Sequence, residues 1–302
     1  MKLPIFKIRA SAASEILADA IGLSDAQQIK YDGYVQRISE YEAGEVKKKL
    51  TQNMEEEFAY LKNKLNNPEL PTGAKTYCEK WLKEQLYDRR KNFANKYLEK
   101  GISCEDESID YAAEQLGWGD VAKNEEWFSD DWMEGTPDII TEIESIFVDV
   151  DWKDVITIKP TVIDMKNVWD CFTMPLFKSL IPTPAYETQL QVYMHLVTQE
   201  YKVEFNDAIL CYALMDAPLD VMKKEMRRLS WDEGQQGLIT DEISQRVHRE
   251  MTYSNLGPEL RLKTYTVKRN PAVIEELKIR VEMCRKYIDQ LVSGKSELLE
   301  AA

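Results

Sequence analysis

Cysteine and histidine are scarce in this 302-residue chain, and their scarcity excludes whole classes of site. The five cysteines, Cys78, Cys104, Cys171, Cys211 and Cys284, are odd in number and widely spaced, no Cys-x-x-Cys occurs, and the only imidazoles are His195 and His248. A structural zinc site needs closely spaced nitrogen and sulfur ligands, and a disulfide framework needs an even, patterned set. Neither is expected, and the cysteines read as small core residues. Long apolar runs are lacking too. None approaches the ~20 residues of a membrane span, and the start Met1-Lys2-Leu3-Pro4-Ile5-Phe6-Lys7 has no sustained apolar stretch of a signal peptide. A soluble, cytoplasmic protein without a membrane partner is the expectation. Internal repeats and low-complexity tracts are absent as well.

What is present is material for a core: 44% apolar residues, with seven Trp and fifteen Tyr. That suits one sizeable domain or two small ones. Val35, Ile38, Tyr41, Val46, Leu50, Met54, Phe58, Leu61 and Leu65 recur at three- to five-residue steps, predicting one or two amphipathic helices. Pro68 to Gly73 breaks them, and a further helix is expected from about Ala74 to Glu99. Residues 135–167 read as strands punctuated by Gly135 and Pro160, and an apolar helix follows from Thr188. A strand is expected at 207–214, a helix at 240–251 and a strand at 264–269. A closing helix runs from Pro271 to Val292, with proline at its start and Gly294 past its end. The expected fold is α/β, a central mixed sheet flanked by helices. A helical N-terminal elaboration (1–100) precedes the core (101–230), and a C-terminal helix and strand extension (231–302) follows, all in one compact domain.

Within this frame four groups of residues carry chemistry. Gly135-Thr136-Pro137-Asp138 is followed by the strand Thr161-Val162-Ile163-Asp164-Met165-Lys166. Side chains at i and i+2 of a strand share a face, so Asp164 and Lys166 project together, and Asp138 on a neighbouring strand can meet them. Two carboxylates and an ammonium around one spot suit a hard divalent cation on oxygen ligands, with the lysine beside an activated water. A rival triplet, Asp151-Trp152-Lys153, lies among charges that read as a hairpin tip, whereas Asp164 follows the apolar Val162-Ile163. Asp164/Lys166 is therefore preferred; the bland account of either is a surface ion pair worth about 0–1 kcal/mol.

Gln189 and Tyr193, at i and i+4, share a face of the apolar helix. A buried glutamine needs partners, which a phosphate or a backbone group could supply. Ser103 and Asp106 resemble a capping box opening a helix that Gly117 closes. There Glu105 falls in line with Ile109, Ala112 and Leu116, so one acid of five faces the core side; the helix dipole explains the acids but not that placement. Charge is equally uneven. Residues 105–154 hold seventeen Asp/Glu and two Lys, whereas the chain as a whole carries a net −14, so the remainder is nearly neutral. The acidity coincides with the proposed metal site, although several of these acids need be only a solvated face. Lys75 to Lys100 carries eight Lys/Arg against four acids, including Arg89-Arg90-Lys91. It is a candidate phosphate-contacting surface or simply a solvated helix.

The order Gly-x-x-x-Glu, Pro-Asp, Asp-x-Lys, Gln-x-x-x-Tyr resembles the PD-(D/E)XK nucleases. Among them it is most similar to the phage lambda-exonuclease, RecE and YqaJ-like group, with RecB-type domains next. Phe6-Lys7-Ile8-Arg9-Ala10-Ser11-Ala12-Ala13 looks like the group's phosphate-gripping Arg/Ser element. The bland account is a surface arginine and a serine capping a helix over 12–20. The resemblance implies that Glu105, Asp138, Asp164 and the Met165 carbonyl hold Mg2+, with Mn2+ substituting. Lys166 would orient or deprotonate the nucleophile, Gln189 with Tyr193 would serve the phosphate, and Arg9 and Ser11 would bind DNA. It further implies a DNA exonuclease acting on linear duplex ends in phage-type recombination, in the host cytoplasm if phage-encoded. A single-strand annealing partner and a homo-oligomeric ring would accompany it. The missing cysteine cluster argues against the iron–sulfur subgroup. Two alternatives stand beside this reading: a RecB-like or structure-selective endonuclease, and a non-enzymatic acidic DNA mimic. The mimic leaves Lys166, Gln189 and Glu105 unexplained.

Overall fold

The structure, a computed structural model, describes residues 3–90, 95–148 and 154–294. The chain divides into two compact units, one of Met1–Lys7, Ala13–Arg90 and Glu275–Ala302, the other of Ile8–Ala12 and Lys91–Ile274. This division cuts across the three sequence stretches drawn at 100 and 230, because the closing helix returns to the N-terminal region.

In the first unit α1 (Ala13–Leu17), α2 (Asp25–Glu42), α3 (Gln52–Asn66) and α4 (Thr72–Tyr87) gather. Ser24 caps α2 through a reciprocal capping box with Gln27. α2 and α3 meet where Phe58, one of the predicted apolar steps, stacks on Tyr31, which lies outside them, at 5.2 Å. Phe6 inserts between Tyr77 and Trp81 of α4. The buried Arg280 guanidinium donates to the carbonyls of Ile16 and Asp19, which fastens the last helix here. The helix expected over 74–99 ends at Tyr87 instead. Asp88 takes a left-handed backbone, φ 47°, that no helix interior accepts.

The second unit holds two sheets. The smaller joins β1 (Ile8–Arg9), β2 (Phe128–Ser129) and β3 (Met133–Gly135), with β3 in the middle. The larger runs β4 (Ile139–Val148), β5 (Asp154–Asn167), β6 (Asp207–Ala213) and β7 (Leu262–Lys268), in that order. β5 is antiparallel to β4 and parallel to β6, and β7 is antiparallel to β6, so the sheet is mixed as expected. Pro160 does not punctuate the strand but lies within β5. It pairs with Glu142 one residue before β6 joins at Thr161, where β5 has a single neighbour and a missing N–H is tolerated.

Helices cover both faces of this sheet. α5 (Lys96–Ser103) leads into α6 (Glu105–Leu116), whose Ile109, Ala112 and Ala113 pack on Ile139, Ile163, Met165, Cys211 and Ala213. α7 (Pro184–Tyr201) crosses between β5 and β6, and every residue from Gln189 to Thr198 is buried. Such a helix, apolar all round, belongs inside. α8 (Leu219–Asp232) and α9 (Asp241–Met251) share a second core around Met222, Met226, Ile243 and Val247. α10 (Pro258–Arg261) leads to β7, and α11 (Pro271–Ser293) begins on proline as expected. No described helix is long and apolar enough to cross a membrane.

Candidate active site

Two adjacent strands bring the acids together. Ile163 and Met165 turn toward α6, so the period of two sends Asp164 and Lys166 to the α7 side. Asp138 stands just before β4, where Ile139 pairs with Ile163, and its Oδ2 accepts the Met165 N–H at 2.7 Å. Asp164 is buried to 1% exposure, and Lys166 Nζ lies 2.6 Å from its Oδ2. From α7 the Gln189 amide donates to Asp164 Oδ1 at 3.3 Å and to Tyr193 Oη at 2.8 Å. Gln189 thus has side-chain partners. Asp138, Asp164, Lys166, Gln189 and Glu105 line a cavity of about 650 Å3, with Tyr193 behind Gln189.

Gly135 is required by this packing. A Cβ there would lie 2.8 Å from the Tyr193 ring and 2.9 Å from Ala10. Asn124 fixes the following turn by donating its amide to the Pro137 carbonyl at 2.9 Å, while its N–H donates to the Asp138 carbonyl at 2.7 Å.

The charges do not balance. Burial, and then the Asp164 charge, push the Asp138 carboxyl up to about 7. Burial likewise raises Asp164 against the pull of Lys166. Burial works against the Lys166 ammonium, but Asp164 and Asp138 outweigh it and hold the lysine protonated. Two carboxylates share one cation, and Asp138 carries the surplus. The Asp164 Oδ2 is moreover buried without an aligned hydrogen-bond donor, the Lys166 contact being an ion pair off that geometry. An oxygen-only donor set with a negative surplus, in which one buried carboxylate oxygen has only an ion pair for a partner, fits a hard divalent cation.

Glu105 lines the same cavity, but its Oε2 pairs with Lys123 Nζ at 3.0 Å. Among the described residues no group of three or more His, Cys, Asp or Glu side chains is gathered into a metal-holding set, so the two aspartates stand without Glu105. Two sequence expectations around it fail. Ser103 is the last residue of α5 and caps nothing, because Cys104 alone separates the two helices. Leu116 is 39% exposed, so the buried stripe runs instead through Ile109, Ala112 and Ala113. Gly117 does end α6, at φ 68°.

Arg9 lies in β1, 3.9 Å from Glu134, and Ser11 is exposed in the 3-10 turn that follows. The helix after it spans only Ala13–Leu17. Arg89 and Arg90 are exposed beyond α4, in the other unit, with Arg89 donating to the Asp88 carbonyl. Lys91 lies outside the described residues, as do Asp151 and Lys153 of the rival triplet.

Sequence reasoning missed Tyr186. Its ring sits 4.8 Å from Lys166 Nζ and lines the cavity. The signal was present, since 186, 189 and 193 follow the i, i+3, i+7 spacing of one helix face. Also missed was Lys100, buried to 1%, whose ammonium donates to the carbonyls of Val168 and Trp169 at 3.0 and 2.8 Å.

Similar folds are known. A phage related exonuclease from Haemophilus somnus 129PT matches at 20% identity and a TM-score of 0.57, over 96% of this chain and 97% of that one. An alkaline exonuclease, LHK-Exo of Laribacter hongkongensis, matches at 10% identity and a TM-score of 0.50, over 98% of this chain and 95% of its own. Its complex with dAMP matches to the same extent. No protein-family model and no curated protein matches the chain. The chain shares the fold of these exonucleases along nearly its whole length, and Asp164 and Lys166 lie on β5, an inner strand of its larger sheet.

Proposed function

We propose that this protein is a Mg2+-dependent deoxyribonuclease that hydrolyses phosphodiester bonds at duplex DNA ends, with Mn2+ able to substitute. The observation that carries the reading is the uncompensated pair Asp138 and Asp164 beside Lys166, in a cavity of a fold shared with exonucleases. A phosphodiester is itself an anion and would be repelled by this surplus of negative charge, so the site needs a cation before it can accept one. Asp138 and Asp164, with the Met165 carbonyl, would hold that cation, and Glu105 would join on leaving Lys123. A bound divalent ion supplies Lewis acidity toward a phosphoryl oxygen and makes water more acidic.

The chain's own groups divide the remaining work. Lys166, kept protonated by its acids, offers positive charge where negative charge builds on the phosphoryl oxygens. Tyr186 offers its ring face to that ammonium. Gln189, braced by Tyr193, fixes the rotamer of Asp164. Arg9 and Ser11 are the candidate grip on the terminal phosphate, since an arginine fork binds phosphate bidentately.

The test is a digest of end-labelled linear duplex beside covalently closed circles, with and without Mg2+. Metal-dependent loss of the linear DNA alone supports the exonuclease; efficient nicking of circles favours the endonuclease. No cleavage of either sinks the nuclease. A phosphorylated end should be cut at a different rate from a hydroxyl end, and Arg9→Ala should erase that difference.

A further inference from the structure

The sixteen residues between β5 and α7 (168–183) form the longest connection around the cavity, and a loop of that length is usually functional or disordered. This one is tied down at three points. Lys100 donates to the carbonyls of Val168 and Trp169. Asp170 and Thr173 close a turn on each other, with three hydrogen bonds of 2.8 to 3.1 Å. Beneath the far half, Tyr265 Oη contacts the carbonyls of Pro175 and Lys178 at 3.3 and 3.1 Å, while Met174 is buried.

On this fixed backbone three large apolar side chains point outward. Phe172 is 92% exposed, Phe177 96% and Leu180 80%. An ordered loop that leaves two phenylalanines in water forgoes roughly 1.5–3 kcal/mol of burial at each, so these rings await a partner. Other residues of the same loop, Val168, Thr173, Pro182 and Thr183, line the cavity that holds Asp138, Asp164 and Lys166. Charge narrows the partner's chemistry. The chain carries a net −14, yet from Cys171 to Tyr186 there is no acid and one lysine, Lys178. The loop itself therefore does not repel a polyanion, and around Phe172 the acids Asp170, Glu225 and Glu250 are largely offset by Arg228 and Arg249, although acids crowd the cavity itself.

We propose that Phe172 and Phe177 form a stacking platform for the unpaired nucleobases of a DNA strand entering or leaving the cavity. Every base has a π-face, so isolated rings on a rigid loop take bases in succession without reading sequence. Of the four residues between the rings only Thr173 is polar, so a second copy of the chain is the competing occupant, and the sedimentation arm of the test decides for or against it. The platform rests on the nuclease reading for its substrate, and its test is independent of cleavage.

Binding of a fluorescein-labelled single-stranded 12-mer, and of the same phosphodiester chain with abasic sites, is measured by anisotropy in EDTA at fixed salt. The wild type should bind the base-bearing strand on the order of tenfold tighter for each ring that stacks. Phe172→Ala/Phe177→Ala should bind both strands as the wild type binds the abasic one. Because both rings are exposed, the double variant should keep the wild-type melting temperature and the wild-type rate on bis(p-nitrophenyl) phosphate with Mn2+. Equal wild-type affinity for the two strands overturns the proposal. So does a double variant that still discriminates but changes oligomeric mass in sedimentation, which would make the surface an interface between copies. A protein that discriminates bases but cuts no DNA keeps this inference and removes the nuclease; an active enzyme blind to bases does the reverse.

Discussion

Asp130 and Asp164 both lie against α7, Asp130 on His195 and Asp164 on Gln189 six residues earlier. At Asp130 every oxygen is satisfied. Oδ1 accepts the N–H groups of Trp132 and Met133, both at 2.7 Å, and Oδ2 meets His195 Nε2 at 2.9 Å. Burial pushes that carboxyl up, but the hydrogen bonds from His195, Met133 and Trp132 outweigh it and hold it below the usual range. At Asp164 one oxygen has no aligned donor, a second acid shares the same lysine, and both carboxyls are raised. The same helix thus braces one acid that is complete in the protein and one that is not. Completeness marks structure, and a deficit kept at high density marks a site for something to bind.

The largest break in that comparison comes from removing the single cation at the deficient end. Lys166→Ala should lower the cleavage rate on the order of 10^2–10^4-fold, the usual worth of one charge-stabilising or proton-handling group, while the fold persists. Lys153→Ala, in the rival triplet, should cost little. A reversal of those two results would move the site off β5. Next in size is the metal itself. Saturating Mg2+ or Mn2+ should raise the melting temperature, by about 2.7 kcal/mol of stability at 100 times the Kd. Asp138→Ala should lose both that gain and cleavage. A wild type whose melting temperature ignores both ions would contradict the deficit.

The deficient end was largely legible in the sequence, because strand and helix periods place Asp164 with Lys166 and Gln189 with Tyr193 without any knowledge of the fold. Asp138 was legible only as a neighbour, and the Met165 N–H that orients it was not. The balanced end was invisible. Asp130 and His195 stand 65 residues apart, and β1, β2 and β3, at two or three residues each, are too short to alternate. The extent of the helix begun near Ala74 was misread because only the left-handed backbone of Asp88 marks its end. Glu105 does line the cavity, but its partner Lys123 lies beyond the helix, where no spacing rule reaches. The two outward rings at 172 and 177 gave no periodic signal at all.

Lys100 sharpens the comparison from the opposite sign. It is a buried cation held by two carbonyls and by the face of Tyr253 at 5.6 Å, and burial lowers it from 10.5 to about 8. Between those values the unfolded chain binds more protons than the folded one, so stability rises with pH across the window. Below about pH 8 both states are protonated and the ammonium costs its full ~3 kcal/mol. Urea unfolding of wild type and Lys100→Met should therefore diverge, with the wild type gaining on the order of 2 kcal/mol relative to the variant between pH 8 and pH 9.5. Parallel curves would mean that the carbonyls compensate the burial in full.

The smallest effects on cleavage belong to the balanced pair, and they test whether balance means absence from the chemistry. Asp130→Asn keeps an oxygen for the Trp132 and Met133 N–H groups and an amide to face His195, so unfolding free energy should fall by about 1 kcal/mol or less. Asp130→Ala strands two backbone donors and the imidazole in a buried place, and should cost on the order of 2–3 kcal/mol. Neither change touches the cavity. Both variants should therefore keep the full melting-temperature gain on Mg2+ and the wild-type rate per folded molecule on linear duplex. If Asp130→Asn stays folded yet cuts poorly, the carboxylate charge is being felt through α7 at Gln189. The contrast between a complete acid and an incomplete one would then collapse into a single coupled site.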